Sequence, residues 1–94
     1  MLSEMPKNLE KIKKEDLDKE ILRAGIVAEL DAINLYEQMA AMAEREDIRS
    51  VLLDVAAEEK THVGEFQTLL LELDKEQERE LKKGAEEVRE LLQH

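Results

Sequence analysis

Leu22, Ile26, Glu29, Ile33, Tyr36, Ala40 and Ala43 follow one another at alternating spacings of four and three. Only an α-helix returns positions spaced this way to one face. A second run repeats the pattern through Ile48, Leu52, Val55, Glu59, His62, Phe66, Leu69 and Leu73, with Val51, Val63 and Leu70 widening the stripe. Between the two runs, Arg45–Glu46–Asp47 breaks the rhythm without glycine or proline. The chain is therefore expected to reverse near Glu46, with Asp47 as the N-cap of the second helix. After Leu73, Asp74 followed by Gln77 has the spacing of a capping box. It opens a third helix of about residues 75–92, with Leu81, Ala85, Val88 and Leu92 on one face and Gly84 weakening its middle. Nothing alternates with the period of a strand. The expected fold is all-α, an antiparallel two-helix hairpin over 14–92 that ends in a short C-terminal helix. Residues 1–13, which hold the chain's only proline, Pro6, read as a flexible or partner-docked arm.

A hairpin of this size encloses little. Of 94 residues only Tyr36 and Phe66 are aromatic, so the core must be thin and aliphatic. Small domains compensate with disulfides, a metal or oligomerisation. Cysteine is absent, which leaves the last two. The net charge of −10 is uneven: four lysines against Glu4 and Glu10 give the first fourteen residues +2, and the remainder carries −12. Such a body lacks the clustered cations that phosphate backbones require, so nucleic acid is excluded as a partner. It attracts cations instead. No apolar run reaches membrane-spanning length and no secretory signal opens the chain, so a cytoplasmic location is expected, with no membrane partner.

Each long helix places a carboxylate where its apolar seam calls for a leucine. Burying an ionised glutamate without a partner costs several kcal/mol, on the order of 3–5 when a buried pair is broken. Glu59 and His62 stand at i and i+3, on one side of their helix. If the chain turns near Glu46, Glu29 lies roughly 25 Å before the turn and Glu59 and His62 roughly 20 to 24 Å after it, at 1.5 Å per residue. Antiparallel packing brings the three to one level. Any one of them alone is more often an ordinary seam residue or a bonded core histidine than a ligand; two seams interrupted at one height indicate one site. Four-helix di-iron proteins take a Glu from each of two helices and a Glu-x-x-His from each of the other two. This chain has one of each, so two copies would supply four carboxylates and two imidazoles, a charge that balances two Fe²⁺. An oxygen-rich set with one nitrogen per metal favours iron or manganese over zinc, and calcium avoids imidazole; Mn, Zn or Ca are expected only as substitutes for Fe.

Glu29-x6-Tyr36 followed thirty residues on by Glu59-x-x-His62 resembles the half-site signature of rubrerythrins and ferritin-like proteins, which carry it twice in a chain of four helices. A single copy on a chain of this length resembles the encapsulated ferritins. That resemblance covers about residues 15–92 and implies a ferroxidase, with Fe(II) and O₂ as substrates. It also implies a centre formed between two subunits, dimers closed into a ring-shaped decamer, and an encapsulin shell that houses the ring and stores the iron. By matching position Glu29 and His62 would be terminal ligands, Glu59 would bridge the metals, and Tyr36 would stand behind them. Relatives often add acids that lead iron inward; Asp31 and Glu65 are the candidates here, while Ala28 cannot serve. Shell-loaded members also carry a C-terminal docking peptide. The last residues here, Leu91–Leu92–Gln93–His94, do not provide one, which points to a shell fusion or a trimmed chain. Two other functions compete: a helical assembly module whose metal is structural, separated by whether a coordination position is open, and a rubrerythrin-like peroxidase, disfavoured by the missing Cys₄ electron-transfer site.

Overall fold

The computed structural model describes residues 14–93. Three α-helices account for nearly all of them: α1 Lys14–Met42, α2 Glu46–Leu73 and α3 Lys75–Leu92. Among the described residues there is no strand, as expected. The arm expected over residues 1–13 lies outside the described residues.

α1 and α2 pack antiparallel along their whole length, and α3 touches α2 only near the corner between them. The molecule measures 47 × 47 × 19 Å, so it is a flat L, one limb the hairpin and the other α3. The core is as thin as the composition demands. Among the described residues the buried apolar ones are Ile33 and Ala40 of α1 and Ala56 and Leu70 of α2. At the level of Gly25 a Cβ would come within 3.3 Å of the Phe66 ring, so the missing side chain is what lets that ring lie against α1.

The reversal occupies residues 43–45 and is closed by a cation. Arg49 donates from Nε to the Ala40 carbonyl (3.1 Å) and from Nη2 to the Ala43 carbonyl (2.7 Å). The last turn of α1 has no basic residue of its own, so Arg49 satisfies its orphan carbonyls and faces the negative end of the helix dipole. The N-cap expected at Asp47 is not there. α2 starts at Glu46 with Arg45 as N-cap, and no side chain caps it. Asp47 lies inside the first turn, where its carboxylate accepts from the Ile48 amide and from the Arg45 guanidinium. A local cation competed for the acid and drew the helix start forward.

At the other corner the expectation holds. Asp74 is the single residue between α2 and α3, and its Oδ1 accepts from the Gln77 amide at 3.0 Å. The ends of the second seam, Ile48, Leu69 and Leu73, are exposed, as are Leu81, Val88 and Leu92 on α3. Two helices bury one stripe each, and these side chains lie beyond that stripe.

Candidate metal centre

Antiparallel register brings Glu29 of α1 to the level of Glu59 and His62 of α2. One ligand atom from each of the three lies within 4.8 Å of the others, the only such group of three among the described residues. His62 Nδ1 is 3.5 Å from Glu29 Oε2 and 3.5 Å from Glu59 Oε2. The two carboxylates are mostly covered, 20% and 18% exposed, while the imidazole is 44% exposed. Glu29 Oε2 is buried and has no hydrogen-bond partner.

Those facts describe an unfinished site. A buried carboxylate oxygen without a donor is costly, by about 1–3 kcal/mol and more when charged. A cation between the three groups would satisfy that oxygen together with Glu59 and the imidazole nitrogen. The donor set, two carboxylates and one imidazole, suits a first-row divalent metal. The residues therefore fit a metal. The three groups would hold it from one side, and the His62 side is exposed.

At about 100° per residue, His62 shares its side of the hairpin with exposed apolar residues: Val51 and Leu69 on α2, and Ile21 and Met39 on α1. The two ion pairs that cross the hairpin, Lys60–Glu37 at 3.2 Å and Arg23–Asp74 at 2.8 Å, fall on the opposite side. The three-residue group thus lies on the face of Ile21, Met39, Val51 and Leu69, while the face of the ion pairs also carries the exposed Leu30 and Leu53.

Of the other residues singled out by sequence, Tyr36 is half-buried two turns from Glu29 on the same face. Asp31 is two residues past Glu29, on the outer side of α1, where it borders a groove with Ala28, Ala32 and Leu35. Glu65 is exposed one turn beyond His62. Neither acid belongs to the three-residue group. Sequence reasoning missed Arg49 and Arg23, since an arginine's contact with a distant helix end carries no periodic signal.

Residues 20–93 match the rubrerythrin family model. A solved structure, the encapsulated ferritin domain from Pyrococcus furiosus, superposes with a TM-score of 0.83 at 57% identity, over 98% of this chain and 96% of that one. This chain belongs to the rubrerythrin family, among the encapsulated ferritins. Two curated relatives agree. A ferritin-like–encapsulin shell fusion protein of Pyrococcus furiosus is 69% identical over 72 residues, 77% of this chain and 21% of that protein. The encapsulin nanocompartment cargo protein EncC of Myxococcus xanthus is 40% identical over 68 residues, 72% of this chain and 52% of that protein. The chain thus spans about a fifth and about half of these relatives.

Proposed function

We propose that two copies of this chain complete a di-iron centre that oxidises Fe(II), with Glu29, Glu59 and His62 of each copy as its ligands. The observation that carries the proposal is the buried, partnerless Oε2 of Glu29, 3.5 Å from the His62 imidazole in a group that faces an open, apolar side. A second hairpin laid on that side would cover Ile21, Met39, Val51 and Leu69 and form a four-helix bundle. Four carboxylates would then balance two Fe²⁺ ions.

Bound iron would supply the redox chemistry, each Fe²⁺ giving up one electron to O₂. The chain's own residues hold and neutralise. By matching position in the family, Glu59 would bridge the metals, Glu29 and His62 would be terminal ligands, and Tyr36 would stand behind them. Asp31 and Glu65, outside the group, are assigned to leading iron in. Mn, Zn or Ca would occupy the same oxygen-rich set in place of iron.

The wider setting follows the relatives, one of them fused to an encapsulin shell and one its cargo. We assign residues 14–92 as one ferritin-like unit preceded by an arm, assembled from dimers into a ring and held within an encapsulin shell in the cytoplasm. No helix is long and apolar enough to cross a membrane among the described residues. The test is near-ultraviolet absorbance of Fe³⁺ after Fe²⁺ is added in air to metal-stripped protein. Wild type should oxidise it rapidly and Glu59→Ala at the buffer rate; equal rates in the two would end the ferroxidase reading.

A further inference from the structure

α3 leaves the hairpin at a corner one residue long. Asp74 has φ −125° and ψ 87°, a little below the extended region, and the backbone of this one linking residue does not by itself lock the direction of the helix beyond it. Nor does packing: Leu91 and Leu92 are 71% and 75% exposed, Val88 is exposed too, and α3 meets α2 only near the corner. A helix of 18 residues held at one end by one flexible link should swing.

The corner is nonetheless bonded from three directions. The Asp74 amide donates to the Leu70 carbonyl at 2.8 Å and closes α2. One carboxylate oxygen accepts from the Gln77 amide at 3.0 Å and opens α3. The other accepts from Arg23 Nη2 at 2.8 Å, across a separation of 51 residues. Arg23 is also 3.8 Å from Glu20 on its own helix, which holds the guanidinium toward this end of α1. Asp74 thus ties all three helices, α2 through its amide and α1 and α3 through its carboxylate. The Asp74 side chain is mostly covered, 12% exposed, while that of Arg23 is 47% exposed, so the pair is shielded on the carboxylate side only.

We propose that the Arg23–Asp74 pair is an orienting clamp that fixes the direction of α3 against α1, and with it the direction in which Leu81, Val88, Leu91 and Leu92 are presented. The cap and the clamp are separable. Asp74→Asn keeps a capping oxygen for Gln77 and loses the ion pair; Arg23→Gln loses the ion pair and leaves Asp74 untouched.

The absence of cysteine makes the test direct. Spin labels on Gln38→Cys and Glu90→Cys, both exposed positions, report the distance from the hairpin to the end of α3. The labelled chain is diluted in excess unlabelled protein, so that only distances within one copy are read. Wild type should give one narrow distribution. In Arg23→Gln and in Asp74→Asn its width should roughly double, with helical circular dichroism unchanged, and Arg23→Lys should keep it narrow. Distributions as narrow as wild type in both charge-removing variants would overturn the clamp. Equal broadening in Arg23→Lys and Arg23→Gln would also overturn it, because charge would then not be what holds α3.

Discussion

Glu29 is where folding and function pull against each other. Its Oε2 is buried without a partner, so the metal-free fold is weaker for having it. Replacing a buried, unmatched charge by an apolar side chain of similar volume often stabilises, by about 1–4 kcal/mol. Glu29→Leu should therefore raise the thermal midpoint of metal-stripped protein and lose the further rise that Fe²⁺ gives the wild type; a lower midpoint would show that the carboxylate is already satisfied. The glycines separate in a similar way. Gly84 faces open space, so Gly84→Ala should add about 1 kcal/mol of helix stability. Gly25→Ala brings the same propensity, but its Cβ meets Phe66 at 3.3 Å and the ring must give way. Its gain in chemical denaturation should fall short of that of Gly84→Ala, and an equal gain would mean that the ring moves freely. Glu29, Glu59 and His62 were legible in sequence because each occupies a seam position, and period and register are sequence properties. The contact at Gly25 was not, since a glycine looks the same whether its missing side chain faces an aromatic ring or water.

At the scale of elements, seams and reversal could be read to within a few residues, while one of the two caps could be read and the other could not. Asp74 caps α3 as its spacing with Gln77 suggested, whereas Asp47 was taken by Arg45 two residues away. The covered stripe of α2 also runs through Ala56, Val63 and Leu70, one heptad apart and a little round the helix from the seam, while the seam ends Ile48 and Leu73 stay exposed. Asp74 adds a pH dependence. The Gln77 amide, then Arg23 and Lys19, hold its carboxyl below the ordinary value, and together they outweigh the burial that pushes it up. A lowered folded value stabilises the fold above the unfolded pKa of about 3.9 and loses that contribution as pH falls through the folded one. The difference in thermal midpoint between wild type and Asp74→Asn should be constant at neutral pH and shrink below about pH 4. A difference that stays constant into strong acid would show that the ion pair contributes nothing.

The whole molecule is open. Its radius of gyration is 17.0 Å, against about 12 Å for a compact chain of this length. Large apolar side chains lie exposed on all three helices. Such a shape leaves apolar surface for a partner to cover, and the proposed assembly was suggested in outline by the sequence: too few aromatics, no cysteine, and half a ligand set. Which side chains would remain uncovered was not, because the same four-three pattern describes a residue facing its own hairpin and one facing another copy. If iron is what neutralises the facing carboxylates, sedimentation of metal-stripped protein should show a larger species on adding Fe²⁺, and Glu59→Ala should not respond. An unchanged wild-type mass would separate assembly from metal.

The two cross-hairpin ion pairs, Glu37–Lys60 and Arg23–Asp74, lie on the side away from His62. Both are reached by salt, since Lys60 is 61% exposed and Arg23 47%. High ionic strength should therefore loosen the hairpin along that edge first, away from the side on which His62 meets Glu29 and Glu59.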